Sequence, residues 1–283
     1  MALGKHFRRR STLSSYRFSS SDLNRILRVL TEINRDANPD TYANLKNPDG
    51  SPFTEYHRLR TEIYGDNGEY FLSFDPRGLS LGDLPKKVTK IVIDNFGFPL
   101  YLNDISADRD SSFYVPNTFR LTLDFTSVDI FDFSTRPSDE TAHLNELNVE
   151  GKTENWTKGT YATIVDELSG CEVMNRVLHR RNLYDFVLFL IVYPVLILML
   201  FGNNESIVKV TEGISPAVVA VAFLTGLLAL TYCYRILFNW TRWLFPINEL
   251  VFQVVKFRFL QKAVFAFLTL SIISAIVGNL VAK

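Results

Sequence analysis

The sequence predicts an α+β protein in which a cytoplasmic antiparallel-sheet domain with flanking helices precedes a C-terminal three-helix transmembrane region. Up to residue 182, polar and apolar residues alternate with the periods of strands and helices, whereas Leu, Val, Ile, Phe and Ala dominate from Leu183 onward. Three late apolar runs each contain about 20 residues, the helical length that crosses a hydrocarbon core of about 30 Å. These observations separate a folded body from a membrane domain, 183–283.

Charge divides the chain into three parts, although the whole chain is neutral. Residues 1–19 carry five basic side chains and no acid, residues 20–170 carry 15 basic and 25 acidic ones, and residues 171–283 carry 10 and 5. Residues 1–19 have no apolar core of the kind that a signal peptide needs. They are therefore predicted to be a disordered basic arm that stays in the cytoplasm.

The acidic body, 20–170, is predicted to be a sensor or interaction domain. Ser20 or Ser21 is expected to cap a first helix. Strand patterns follow: a hairpin around Asp66–Gly68, a clear alternation from Phe119 to Phe125, and a further strand over Val128–Phe133. Shorter strand patterns occur in "KKVTKIVIDNFG" and "HLNELNVEG". The pattern favours one helix followed by five or six antiparallel strands.

A last helix of the body is predicted to begin near Thr160. It contains no proline, and Gly170 is its one weak point. We expect it to continue through a linking helix, 171–182, into the first membrane span, which would couple the body rigidly to the membrane.

The three predicted spans are 183–201, 214–234 and 263–282. A soluble three-helix bundle is disfavoured because none of the runs keeps a polar stripe. Cations flank the first span on its N-terminal side and the second on its C-terminal side, and cations stay on the cytoplasmic side. The chain is thus expected to be a multi-pass protein of the cell membrane (the inner membrane in a bacterium), with a cytoplasmic N-terminus.

Residues 241–262 join the second and third spans and mix aromatic, apolar and basic residues. Trp side chains favour the membrane interface, and cations reach anionic headgroups. The expected lipid-interface residues are Arg180, Arg181, Trp240, Trp243, Lys256, Arg258 and Lys262. Pro246 is expected in the first turn of a helix, and Pro246 and Pro194 are expected to act as hinges. The segment is thus interpreted as a connector that lies on the lipid surface. The alternatives to this interpretation are an element that moves on signalling, a re-entrant pore element, and a short strand at "KFRF".

Small residues at four-residue spacing let helix backbones approach closely in membranes. This spacing predicts a homo-oligomer that packs through Ala222 with Gly226, Ser271 with Ala275, and Ser274 with Gly278.

No chemistry-bearing motif emerges from the sequence. Glycines have the wrong spacing for a nucleotide-binding loop, and the four histidines are isolated from one another and from Cys171 and Cys233. Asp129 and Asp132 belong to the densest acidic cluster, which is interpreted as a solvated sheet edge. We therefore predict no catalytic, cofactor or metal site, and no nucleic-acid partner, with membrane lipids and an unknown cytoplasmic ligand or protein as partners.

The layout is similar in plan to that of membrane-disrupting effectors of bacterial immune systems. This similarity of plan implies an oligomeric, channel-like effector in antiviral defence, in which a cytoplasmic sensor domain controls a leak through the membrane. Two alternatives stay open: a membrane-anchored adaptor or scaffold without pore activity, and an enzyme with an unrecognised site.

Overall fold

The computed structural model describes residues 6–37, 59–73, 84–95, 117–133, 137–195, 197, 213–253, 258–267 and 274. The chain divides into two compact units. The first, which we call the sheet unit, comprises Met1–Thr126, His143–Met174 and Ile247–Lys283. The second, the helical unit, comprises Ser127–Ala142 and Asn175–Pro246. The chain therefore passes between the units four times.

The sheet unit contains a six-stranded antiparallel sheet, which confirms the α+β class predicted for this part of the chain. Its strand order is β1-β7-β6-β5-β3-β4. The strands are β1 (Phe7–Thr12), β3 (Arg60–Gly65), β4 (Tyr70–Ser73), β5 (Val88–Asp94), β6 (Thr118–Asp124) and β7 (Glu146–Gly151), while β2 (Arg17–Phe18) pairs elsewhere with β8 (Glu249–Leu250).

Side-chain alternation along the strands follows the predicted pattern. In β6, Phe119, Leu121 and Leu123 are buried on one face, while Arg120 on the other face is exposed. The predicted hairpin is the β3–β4 pair, and its turn contains Gly68 at a φ of 76°. Glycine adopts this left-handed conformation without the cost that a Cβ atom would impose.

Within the predicted disordered arm, 1–19, residues Phe7–Thr12 form the edge strand β1, while residues 1–5 lie outside the described residues. It pairs antiparallel with β7 over its whole length, from Phe7 opposite Gly151 to Thr12 opposite Glu146. Its arginines have partners: Arg8 donates to Asn148 at 3.0 Å, and the Arg9 guanidinium lies 3.9 Å from the centre of the Tyr161 ring. Basic residues predicted to form a solvated tail are thus bound within the sheet unit.

Two helices cover the apolar face of the sheet, α1 (Ser20–Ala37) and α2 (Glu154–Ser169). Ile26, Leu30, Ile164 and Leu168 from these helices belong to the same core cluster as the inward residues of the strands. Amphipathic helices on one side of an antiparallel sheet are a stable two-layer arrangement.

The capping residue of α1 is Ser19 rather than Ser20 or Ser21. The Asp22 amide donates to the Ser19 hydroxyl at 3.2 Å, and the Ser19 amide donates to the Asp22 carboxylate at 2.9 Å. This reciprocal pair is a capping box. The bonds from Ser19 lower the pKa of Asp22.

The continuous helix expected from Thr160 into the first span is wrong. Helix α2 begins earlier, where Thr153 accepts from the Trp156 amide, and it ends at Ser169. Beyond Gly170, Tyr16 forms an isolated bridge with Glu172, and a 3₁₀ turn covers Met174–His179. Gly170, which is costly within a helix, lies where the helix stops. No helical lever therefore joins the body to the first apolar run.

The strand expected over Val128–Phe133 is also absent, since these residues form no strand in the structure. These residues alternate in hydrophobicity, yet their backbone pairs with no neighbouring strand. An alternating pattern alone therefore does not produce a strand here.

The helical unit contains two apolar helices, α3 (Leu183–Val195) and α4 (Pro216–Leu244). Within α3, residues Leu188–Val192 form a wider π-helical turn just before Pro194. Proline lacks an amide hydrogen and its ring clashes with the carbonyl four residues earlier, and a π turn accommodates both effects.

Helix α4 is the one described helix that is long and apolar enough to cross a membrane. It has 29 residues, and none of its most apolar 18-residue window is buried within the protein. The described part of the first predicted span corresponds to the shorter helix α3. A further helix covers residues 258–267, and we call it α5. The third predicted span begins within α5 and lies mostly outside the described residues. The three-span arrangement thus stays a prediction.

Candidate functional site: the N-terminal clamp

One short segment, Leu13–Phe18, is hydrogen-bonded to the chain near three of the four points where it passes between the units, at Asn145, at Cys171 and Val173, and at residues 247–249. We call it the clamp. It follows β1 and precedes α1, so both of its own ends are fixed within the sheet unit. Leu13, Ser15, Tyr16 and Phe18 are all buried.

The outgoing chain lies along one side of the clamp. The Arg17 amide donates to the carbonyl of Cys171 at 2.8 Å, and the Val173 amide donates to the carbonyl of Ser15 at 2.9 Å. The chain enters the helical unit directly afterwards, after Met174.

The returning chain lies along the other side. Strand β8 pairs parallel with β2, with Arg17 opposite Glu249 and Phe18 opposite Leu250. The Tyr16 amide donates to the carbonyl of Ile247 at 3.2 Å, and the Glu249 amide donates to the carbonyl of Tyr16 at 3.0 Å. Residues 247–250 are buried. The helix predicted after Pro246 is therefore wrong, because this stretch is a short strand in the fold of the sheet unit.

A buried pair of asparagines locks the returning chain. Asn145 and Asn248 are 1% and 3% exposed, and each amide nitrogen donates to the other side chain's oxygen, at 3.1 and 2.6 Å. Asn248 also donates to the carbonyl of Asp124 at 2.6 Å and accepts from the Tyr16 amide at 3.0 Å, while Asn145 donates to the carbonyl of Ser14 at 3.0 Å. The two side chains thus join the clamp to the chain on either side of residues 127–142.

A buried carboxylate anchors the chain beyond β8. Glu249 is 5% exposed, and its two oxygens accept from the Lys262 ammonium at 2.9 and 3.2 Å. Arg17 of the clamp lies 3.5 Å away. A buried charge requires such partners to offset its loss of hydration. Lys262, expected at lipid headgroups, is thus engaged by Glu249 and fixes helix α5 to β8.

The helical unit is closed at its own ends. The Asn175 side chain donates to the carbonyl of Pro246 at 2.9 Å, so the first and last residues of Asn175–Pro246 are bonded to each other. His179, 2% exposed, bonds the Phe245 carbonyl at 2.8 Å and the Thr141 hydroxyl at 2.9 Å. Buried Arg242 donates to the Leu178 carbonyl at 3.0 Å.

The other predicted site residues are dispersed. Arg180 and Arg181 are exposed, Trp240 and Trp243 lie partly buried near the end of α4, and Arg258 is partly buried. Ala222 and Gly226 are exposed on α4, and apart from its neighbours in the helix no described residue comes within 4 Å of a Cβ atom placed on Gly226. Ser274 is exposed, while Lys256, Ser271, Ala275 and Gly278 lie outside the described residues. None of these positions belongs to the clamp.

The face of the sheet opposite α1 and α2 carries a charged network. Arg60 donates twice to the buried carboxylate of Asp94, at 3.1 and 2.8 Å, and Tyr64 donates to Glu62 at 2.8 Å. Among the described residues, no three His, Cys, Asp or Glu side chains converge on a metal position. A cavity of about 30 Å³ between α1 and the sheet is apolar and large enough only for water.

The phenol of Tyr64 gives this network a measurable signature. Its bond to Glu62, followed by burial, raises the pKa of Tyr64 to about 12. A pKa raised in the folded state contributes stability that is complete below the ordinary pKa, about 10, and is lost as the pH rises from there through about 12. We expect Glu62→Gln to lower the pKa of this phenol. The titration of Tyr64 alone is obtained by subtracting the absorbance titration of a protein that carries Tyr64→Phe from that of the otherwise identical protein that keeps Tyr64. An unchanged titration would contradict the Glu62 bond.

Comparison with known proteins adds no relative. No family model, curated protein or solved structure matches this chain. The features of the chain that bear on function are the clamp, the exposed helix α4 and their connection along the chain.

No motif or periodicity in the sequence predicted the clamp. Asn145 and Asn248 are 103 residues apart, and neither belongs to a motif. The one available signal was the stretch "FPINEL", in which polar residues interrupt an apolar run directly after a helix.

Proposed function

We propose that the protein is an integral membrane protein in which a cytoplasmic sheet unit controls an oligomeric, channel-like or membrane-disrupting assembly. The observation that carries this proposal is helix α4, since none of its most apolar 18-residue window is buried within the protein. Monomeric soluble proteins rarely expose large continuous apolar surfaces, whereas lipid covers such a surface without cost.

The proposed topology has spans at 183–201, 214–234 and 263–282. Exposed Arg180 and Arg181 precede the first, and Arg235 and Arg242 follow the apolar part of the second, which supports a cytoplasmic location for these ends. Under this topology the loop 202–213 lies outside the cell, and the part of the sheet unit that precedes residue 263 lies inside. In a bacterium the membrane would be the inner one.

The clamp supports control by the sheet unit. Only Phe245 and Pro246 separate the end of α4 from the buried segment that begins at Ile247. A change in the sheet unit that released β8 from β2 would free the cytoplasmic end of α4. We infer that an unidentified ligand or protein partner acts by shifting this equilibrium, which requires that it bind the two states with different affinity.

Leakage from liposomes tests this function. Full-length protein is reconstituted into dye-loaded liposomes, and we expect Asn248→Ala, which weakens the clamp, to release dye faster than wild type. The matched control is Asn24→Ala, at an exposed position of α1, which should behave as wild type. The effector proposal fails if no variant leaks and the detergent-solubilised protein is a monomer.

The second candidate is a membrane-anchored adaptor without pore activity, in which α4 and the other apolar segments serve only as an anchor. Replacement of residues 175–246 by an unrelated anchor should preserve the biological activity of an adaptor and abolish that of an effector. An enzyme with an unrecognised site has weaker support, and loss of activity in Asp129→Asn with Asp132→Asn at normal expression would favour it.

A further inference from the structure

Residues Ser127–Phe133, which we call the aromatic loop, present two phenylalanines on the surface of the helical unit. Phe131 is 71% exposed and Phe133 is 48% exposed. The loop contains no regular secondary structure, yet its position on helix α4 is fixed by specific contacts.

Those contacts lie within two turns of α4. The carbonyl of Asp132 accepts from the Arg235 guanidinium at 3.1 Å and from the Asn239 amide at 3.4 Å. The Phe133 ring lies edge-on to Tyr232, with 6.1 Å between centroids, and the Arg235 guanidinium is 5.1 Å from the Phe133 centroid. The loop is thus held at the level of Tyr232–Arg235.

That level corresponds to the edge of the hydrocarbon core if α4 spans the membrane. The apolar part of α4, from Pro216 to Tyr234, is about 28 Å long at the rise of an α-helix, which matches a core of about 30 Å. Arg235 is the first charged residue after this part. Aromatic side chains at this depth bury their rings beside the headgroups.

We propose that the aromatic loop is an interfacial anchor, which inserts Phe131 into the boundary between lipid headgroups and acyl chains on the cytoplasmic side. The inference rests on the proposed function, because α4 must cross the bilayer. Asp129, exposed in the same loop, would oppose binding to anionic headgroups. The loop therefore binds by apolar insertion, and neutral phosphatidylcholine is a sufficient partner.

The experiment places an environment-sensitive fluorophore on single cysteines in full-length protein reconstituted into phosphatidylcholine liposomes. The background carries Cys233→Ala, since Cys233 is exposed, and retains Cys171, which is buried and should take up no label. The labelled variants are Phe131→Cys in the aromatic loop, Leu224→Cys in the middle of α4, and Asn67→Cys in the exposed turn between β3 and β4 as the aqueous reference.

We expect the label at Phe131→Cys to show blue-shifted emission and to be quenched by lipids that carry a nitroxide near the headgroup. The label at Leu224→Cys should be quenched by lipids that carry a nitroxide deep in the acyl chains. The label at Asn67→Cys should be quenched only by aqueous iodide. Quenching at Leu224 together with an aqueous signal at Phe131 would overturn the anchor and leave the span intact. An aqueous signal at Leu224 would overturn the span and the anchor together. Quenching at Phe131 that requires anionic lipid would overturn insertion by apolar contact.

Discussion

Replacing Asn248 with alanine will lower the thermal unfolding midpoint of the full-length protein by roughly 6–15 °C. The substitution removes four hydrogen bonds of the Asn248 side chain, one to the Tyr16 amide, one to the Asp124 carbonyl and two to Asn145. At a net contribution of about 1 kcal/mol for each bond, the total is about 3–4 kcal/mol. One kcal/mol corresponds to about 2–4 °C for a protein of this size. The measurement is a thermal melt of the detergent-solubilised protein.

The same variant should become sensitive to chymotrypsin near Phe245 and Leu250, because β8 would separate from β2 more often. The control is Asn24→Ala, which also truncates an asparagine but at an exposed position of α1 that does not contribute to these bonds. This variant should melt within about 1–2 °C of wild type. Equal melting temperatures for Asn248→Ala and Asn24→Ala would show that the asparagine pair does not hold the returning chain.

Replacing Leu224 with arginine will remove most of the protein from the carbonate-resistant membrane fraction. Leu224 is 60% exposed and lies near the middle of the apolar part of α4. Arginine at the centre of a span costs about 2.5–3.5 kcal/mol, and the loss of leucine adds about 0.5 kcal/mol. The expected change is therefore a factor of several hundred in the insertion equilibrium of this helix.

Leu237→Arg is the matched control, since Leu237 is 57% exposed on the same helix but lies beyond Arg235. At the membrane edge the arginine reaches water, so this variant should remain in the membrane fraction. If Leu224→Arg and Leu237→Arg partition alike, the exposed surface of α4 is not in contact with lipid.

The elements that could be predicted from the sequence are those whose folding is determined by residues close together in the chain. The strand β6 could be predicted because Phe119, Leu121 and Leu123 alternate with polar residues, and the β3–β4 hairpin because Asp66–Gly68 favours a tight turn. Both signals lie within a few residues. Helix α4 could be predicted for the same reason, since its length and composition are local properties.

The failures involve partners that are distant in sequence. Arg8 to Arg10 appear to be a solvated tail until Asn148 and Tyr161 are placed beside them, about 140–150 residues away. The strand expected at Val128–Phe133 has the right period but no neighbouring edge, so its backbone groups bond elsewhere. The clamp is the extreme case, because its partners are about 130 to 230 residues away in the sequence.

The most direct test of the central claim is the accessibility of the two ends of α4 in intact cells. In a Cys233→Ala background, Ile214→Cys marks the residue before the helix cap, and Asn67→Cys marks the sheet unit; both positions are exposed. A membrane-impermeant maleimide should label Ile214→Cys on intact cells and Asn67→Cys only after the membrane is permeabilised. Labelling of both positions on intact cells, or of neither, would contradict a helix that crosses the bilayer with the sheet unit held inside.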